Sequence, residues 1–468
     1  MSIFNKITDK YIENTAVITD YGSSVGYADL EDFSVQFIEI IPKRSLVFSL
    51  CSNTLGSFIG YFSFIKNGIV PLMLEASLDK ELLAGLIHTY KPGYLWLPND
   101  QSGDYPKEQV IYSVLDYSLI KLETESPCPL NADLALLLTT SGSTGSPKLV
   151  RISYKNIEAN AASIAEYLAI DENERAITTL PMSYSFGLSI INSHLLKGAT
   201  ILLTSKTLME KEFWAFLKRE KATSMSGVPY TYEILKKLRF FRMDLPSLTT
   251  LTQAGGKLNN ELNKEFSEFC QQSGKRFFVM YGQTEATARM SYLPPKYSLT
   301  KLGSMGIPIP GGEFSLIDET GSAILGSDIV GELVYKGKNV SMGYAECGSD
   351  LRKEDENQGV LITGDLAKRD SDNFHYIVGR KKRFIKIFGN RVNLDETERL
   401  LKSIISDCAC TGVDDHMLIY ITDNSRNDEI RNFISSKTGI HHSAFSVRHI
   451  DSIPKNNSGK TIYSSLAL

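Results

Sequence analysis

Short runs of Val, Ile and Leu alternate with segments of helical period along most of this chain, and that alternation restricts it to a layered α/β fold. Ala135-Leu136-Leu137-Leu138 and Leu149-Val150-Arg151-Ile152 read as strands. Tyr154 to Leu168 reads as a helix, with Ile157, Ala161, Ile164, Ala165 and Leu168 on one face and Ser153 as its cap. Gly56 to Leu74 is the most apolar stretch, but Lys66, Asn67, Gly68 and Pro71 interrupt it. It is predicted to be helix, turn and buried strand, with no membrane span. From Gly311 to Gly343 short strands such as Glu313–Ile317 and Glu332–Lys336 sit between Gly-rich turns, the texture of a small barrel or antiparallel sheet. The basic cluster Gly379–Lys386 (GRKKRFIK) precedes a fresh helix near Asn393, with Glu396 placed to complete a capping box. At 468 residues the expectation is a large multi-layered α/β domain over 1–381 and a small mobile α+β domain over 382–468.

Composition removes several classes of function. Fifty Lys+Arg against 54 Asp+Glu leave a net charge of −4, so a nucleic-acid partner is not expected. A hydrophobic share of 42% excludes disorder. The opening MSIFNKITDK lacks the apolar segment of a secretory signal, and the expected location is cytoplasmic. Cys51, Cys128, Cys270 and Cys347 are isolated, and Cys408 and Cys410 have one residue between them. They read as buried structural thiols, neither a disulfide framework nor a metal site. His441-His442 reads as surface polarity.

The most informative segment is Thr140-Ser141-Gly142-Ser143-Thr144-Gly145-Ser146-Pro147-Lys148. Glycines let the backbone approach an anion, the hydroxyls supply neutral donors, and the lysine adds charge. It is not a Walker loop, which runs GxxxxGK[ST] into a helix, because here a second strand follows. Taken alone it also fits a flexible Ser/Gly hairpin.

The segment resembles the phosphate-binding motif of the acyl-adenylate-forming, AMP-binding superfamily: acyl- and aryl-CoA ligases, peptide-synthetase adenylation domains and luciferases. Other motifs of that superfamily follow in order. Tyr281-Gly282-Gln283-Thr284-Glu285 matches YGxTE, Gly331-Glu332-Leu333 with Gly343-Tyr344 matches GE…GY, and Thr363-Gly364-Asp365 matches TGD. Gly379-Arg380-Lys381-Lys382 with Ile385-Lys386, Gly389 and Arg391 matches the hinge motif. Pro454-Lys455 with Ser458-Gly459-Lys460 matches the C-terminal lysine loop. The resemblance spans about 30 to 468.

The resemblance implies ATP-dependent activation of a carboxylic acid to an acyl-AMP with release of pyrophosphate. Transfer to a thiol follows, on CoA or on the phosphopantetheine of an acyl carrier protein. Thr140 to Gly145 and Lys148 would then hold the β- and γ-phosphates. Thr284 would donate to the α-phosphate, and Glu285 would anchor Mg²⁺, a hard cation that prefers carboxylate oxygen. Asp365 would accept both ribose hydroxyls, with Arg380 adding contacts. Tyr281 would offer its ring to adenine, with Gly255-Gly256 on the other face. Lys460 would bridge the substrate carboxylate and the α-phosphate. Lys382 would be the pivot on which the small domain turns, replacing Lys460 by the Lys386–Gly389 segment. Two departures stand out. Val279 takes the place of the amide that often reads adenine two residues before the tyrosine, and Lys460 follows Lys382 by 78 positions, a short C-terminal domain.

Pro181 to Gly187 occupies the acyl-pocket motif, so Tyr184, Ser185, Gly187, Lys257 and Gly282 are the expected pocket residues. Many CoA ligases have histidine where Tyr184 stands. Amino-acid-activating members have aspartate where Ser185 stands, and a buried ammonium without that partner is unfavourable by several kcal/mol. A small carboxylic acid without an α-amino group is therefore expected. Alternatives are a stand-alone amino-acid-adenylating enzyme, an oxidative luciferase-like enzyme, and a non-catalytic nucleotide-binding homologue.

Overall fold

The computed structural model describes residues 4, 10–123, 128–139, 148–388, 390–423, 426–455 and 461–466. Thr140, Ser141, Gly142, Ser143, Thr144, Gly145, Gly389 and Lys460 lie outside the described residues. The chain divides into two compact units. Of the described residues, the larger takes in those up to Glu313 and Lys336–Leu361, and the smaller takes in Phe314–Tyr335 and those from Ile362 onward.

Two sheets build the larger unit. A nine-stranded sheet runs from edge to edge through Ile307–Pro308, Ser291–Leu293, Arg276–Tyr281, Thr250–Gln253, Ser224–Gly227, Arg175–Ile177, Thr200–Leu203, Thr15–Thr19 and Ser24–Gly26. Its six inner strands are parallel. An eight-stranded sheet runs through Tyr344–Ala345, Leu149–Ser153, Leu134–Thr139, Val70–Glu75, Leu46–Cys51, Tyr94–Pro98, Tyr117–Lys121 and Val110–Val114. One apolar cluster takes in Val17, Ile201 and Met280 of the first sheet and Val47, Met73 and Leu136 of the second. The helices Leu55–Asn67, Tyr154–Tyr167 and Ser185–Leu195 contribute to the same cluster. A helix between two sheets has no solvent face, and accordingly all eleven residues of Ser185–Leu195 are buried. A second cluster covers the other face of the eight-stranded sheet, where Leu83, Leu86 and Tyr90 of the helix Lys80–Tyr90 pack on Phe48, Leu72 and Leu95.

The apolar stretch predicted to be helix, turn and strand is the helix Leu55–Asn67, a left-handed Gly68 at φ 74°, and the strand Val70–Glu75. Ser153 caps the helix that follows it by accepting from the Asn156 amide at 3.2 Å. Leu134–Thr139 and Leu149–Ser153 pair antiparallel, so the Ser/Gly segment joins two strands, as its sequence suggested.

The smaller unit contains most of a four-stranded sheet, Gly312–Ile317, Gly331–Gly337, Val360–Arg369 and His375–Arg380, with the last two strands antiparallel. It also contains a three-stranded sheet, Cys408–Val413, His416–Ile421 and Phe445–His449, packed with the helices Leu394–Leu401 and Asn427–Thr438. Asn393 caps the first of these helices through the amides of Asp395 and Glu396. The expected capping box is not completed, because the Glu396 carboxylate pairs with Arg399 one turn on. Cys51, Cys270, Cys408 and Cys410 are buried, Cys128 is half-buried, and Cys347 is exposed, which corrects the reading of all six as buried. Among the described residues no helix is long and apolar enough to cross a membrane.

Candidate active site

Ligands of open α/β sheets bind outside the carboxyl ends of the parallel strands. Three candidate segments leave the nine-stranded sheet at those ends: Tyr184-Ser185 beyond Arg175–Ile177, Gly255-Gly256 beyond Thr250–Gln253, and Thr284-Glu285 beyond Arg276–Tyr281. The structure brings them into contact. The Ser185 Oγ and Thr284 Oγ1 lie 3.1 Å apart, which joins the expected acyl-pocket motif to the YGxTE motif. Gly255 sits at φ 83°, and a Cβ there would stand 2.8 Å from the Tyr184 hydroxyl, so the tyrosine closes against this backbone. Burial pushes the Tyr184 phenol up to about 12, so it stays a neutral donor.

The loop after Tyr281 folds back on itself. The Met290 amide donates to the Tyr281 carbonyl at 2.9 Å, and Thr284–Ala286 forms a single 3-10 turn between them. A Cβ on Gly282 would lie 1.6 Å from the Ala288 carbonyl oxygen, and one on Gly187 would lie 2.2 Å from that of Pro181. Glycine is required at both places by backbone approach alone. Gln283 donates to the Tyr281 hydroxyl at 3.2 Å, and Lys257 is exposed.

Glu285 is half-buried, and its Oε1 accepts from the Tyr344 hydroxyl at 2.7 Å. Among the described residues no cation pairs with it. Lys148 lies 2.5 Å from Glu346 and 5.7 Å from the centroid of the Tyr344 ring. Among the described residues no group of three or more His, Cys, Asp or Glu could hold a metal ion. A lone carboxylate does not make a resident metal cage. It suits Mg²⁺, which keeps several waters and takes its other ligands from substrate phosphates.

In the smaller unit Asp365 is buried, and its Oδ1 stands 3.4 Å from the Arg380 Nε across the ladder they share. The basic cluster is not a free cationic patch. Lys381 pairs with Glu332 at 2.7 Å, and Arg383 pairs with Asp395 at 2.5 Å and Glu398 at 2.6 Å. Tyr463 closes this knot by donating to Glu398 at 2.9 Å beneath the Arg383 guanidinium. Lys386 is exposed in the strand Phe384–Ile387.

Sequence reasoning missed two buried arginines. Arg151 donates to the carbonyls of Met342 at 2.7 Å, Tyr344 at 3.1 Å and Lys353 at 2.6 Å, and to the Glu356 carboxylate at 2.6 Å. Its signal was present, since a lone charge in the run Leu149-Val150-Arg151-Ile152 had to find partners once buried. Arg289 is buried against Ser189, Tyr167 and the face of Phe186, and no pattern in the sequence marked it.

The layered fold carries its candidate residues at the carboxyl ends of parallel strands, where open α/β proteins bind their ligands. Residues 4–345 match the AMP-binding enzyme family, and the chain belongs to it. It is 29% identical over 350 residues to 4-coumarate–CoA ligase-like 2 of Arabidopsis thaliana, covering 70% of this chain and 60% of that one. It is 28% identical over 411 residues to a 2-succinylbenzoate–CoA ligase of Bacillus pumilus, covering 84% and 81%. Its fold is similar to that of o-succinylbenzoate CoA synthetase from Bacillus subtilis in complex with an acyl-adenylate intermediate. That similarity has a TM-score of 0.82 at 22% identity and covers 99% of this chain and 97% of that one.

Proposed function

We propose that this chain activates a carboxylic acid with ATP and transfers the acyl group to a thiol. A carboxylate oxygen would bond to the α-phosphorus as pyrophosphate leaves, and a thiolate would then take the acyl carbon as AMP leaves. The observation that carries this reading is the convergence of Ser185, Thr284 and Glu285 at the carboxyl ends of parallel strands, with the Glu285 carboxylate accepting from the Tyr344 hydroxyl. Both reactants are anions, and the reaction needs cations and donors where charge gathers. Mg²⁺ would supply Lewis-acid charge on the phosphates, with Glu285 to hold it and the Thr284 hydroxyl to donate nearby. Thr140 to Gly145 and Lys148 would hold the outer phosphates, and Lys148 would leave Glu346 to do so. Asp365 and Arg380 would hold the ribose, and Tyr281 and Gly255-Gly256 would flank the base.

The acid we infer is an aryl or alkyl carboxylic acid without an α-ammonium. Ser185 offers a hydroxyl already engaged with Thr284, where an ammonium would want a carboxylate. Coumarate-type, ferulate-type and succinylbenzoate-type acids, named for the relatives, head the list to test. CoA is the first acceptor to test and a carrier protein the second, in a cytoplasmic setting. Lys382 would serve as the pivot between domains 1–381 and 382–468, with Lys386 and Gly389 facing the thiol after rotation.

ATP–pyrophosphate exchange across a panel of carboxylic acids tests the proposal. Strong exchange with amino acids and none with unaminated acids would overturn the substrate class. Lys460→Ala should abolish exchange yet accept supplied acyl-adenylate, while Lys382→Pro should retain exchange and slow transfer, because proline fixes φ near −65° at the pivot.

A further inference from the structure

The Tyr344–Glu285 contact belongs to a braced assembly. The Ser341 amide donates to the Glu285 carbonyl at 2.8 Å, so the residue's backbone is tied to the segment that bears the tyrosine. Tyr344 in turn pairs with Val150 in the edge ladder of the eight-stranded sheet. Its carbonyl and that of Met342 are both gripped by the fully buried Arg151 guanidinium. The Arg151 amide donates to the Gly343 carbonyl at 3.0 Å, and the Arg151 carbonyl accepts from Met342 at 2.8 Å. The tyrosine therefore hangs from a rigid strand edge, and its hydroxyl reaches one oxygen of the half-buried carboxylate.

We propose that Tyr344 is a positioning residue that fixes the Glu285 carboxylate for a divalent cation on the nucleotide phosphates, with Arg151 holding the tyrosine in place. The proposal rests on the reading of Glu285 as the metal ligand. The chemistry of the partner matters. A lysine or arginine at this place would orient the carboxylate but cancel its charge. A phenol orients it through one oxygen, adds no charge, and leaves the other oxygen to the cation. Partners that orient a ligating side chain typically change metal affinity 10–100-fold when removed.

The test is equilibrium binding on the full chain. Mn²⁺ serves as the probe, with free Mn²⁺ read by electron paramagnetic resonance, in the presence of saturating α,β-methylene-ATP. Tyr344→Phe, which keeps the ring, should weaken Mn²⁺ binding about 10-fold or more. Its affinity for the analogue in metal-free buffer should match the parent's. Glu285→Gln run beside it separates the two ideas. If Glu285→Gln loses Mn²⁺ and Tyr344→Phe binds it within about twofold of the parent, the positioning role is overturned and the metal-ligand reading stands. If both variants bind Mn²⁺ as the parent does, both fall. If Tyr344→Phe loses the metal-free analogue as well, the tyrosine is a general brace of the loop and the proposal is overturned.

Discussion

The two sheets of the larger unit are made of different material. The eight-stranded sheet is nearly pure hydrocarbon at its centre: Leu46–Cys51 reads LVFSLC, Val70–Glu75 reads VPLMLE, and Leu134–Thr139 reads LALLLT. The nine-stranded sheet buries hydroxyls and amides instead, with Ser224, Ser226, Thr250, Thr252 and Gln253 on two adjacent inner strands. Some of these groups bond directly to each other, as where the Thr252 hydroxyl donates to the Ser226 Oγ at 2.8 Å. The apolar sheet is held by burial and can lend its strand ends to the Ser/Gly segment. The polar sheet is held partly by directional bonds and leads into Ser185, Thr284 and Glu285. Directional bonds specify geometry as well as energy, so a polar sheet suits the side whose loops need fixed positions.

The sharpest test of that division is Glu285→Ala. Removing the charge beyond the polar sheet should lower ATP–pyrophosphate exchange about 10²–10³-fold. The melting temperature should move by only a few degrees, since the side chain is half-exposed. A large loss of stability with modest loss of exchange would place Glu285 in the scaffold. On the apolar side, Leu137→Ala should cost about 2–5 kcal/mol in urea unfolding through the cavity it leaves. Turnover per folded molecule should stay at the parent level, and a matching loss of turnover would break the contrast.

His194 lies on the helix between the sheets and reports on burial there. Burial, then the nearby Arg289 charge, lower its imidazole from 6.5 to about 4, so the folded chain binds fewer protons than the unfolded one between those values. Its contribution is whole above about pH 6.5 and is lost as pH falls towards 4, with a slope of up to about 1.4 kcal/mol per pH unit. His194→Gln should flatten the acid limb of urea-derived stability, and an unchanged limb would show that other groups cause it. The smallest effect expected is from Thr252→Val, at about 1 kcal/mol for one hydrogen bond. If it matches Leu137→Ala, the two sheets are not held differently.

Much of this was legible in the order of residues. The α/β class, the helix Tyr154–Tyr167 with its Ser153 cap, and the break at Gly68 follow from local rules, because period, capping and left-handed glycine act within a few residues. The motif residues were legible as types, since carboxylates, hydroxyls and lysines near glycines suit phosphate chemistry whatever surrounds them. The completion of a capping box at Glu396 was misjudged because Arg399, one turn along, competes for the same carboxylate. The sequence alone could not show that Ser185 meets Thr284 across 99 positions, that Tyr344 reaches Glu285 across 59, or that Arg151 reaches Met342 across 191. A side chain's local preferences carry no information about which distant strand edge will be brought beside it. Those pairings were decided when the two sheets closed on a common core, and they turn a set of motif residues into a site.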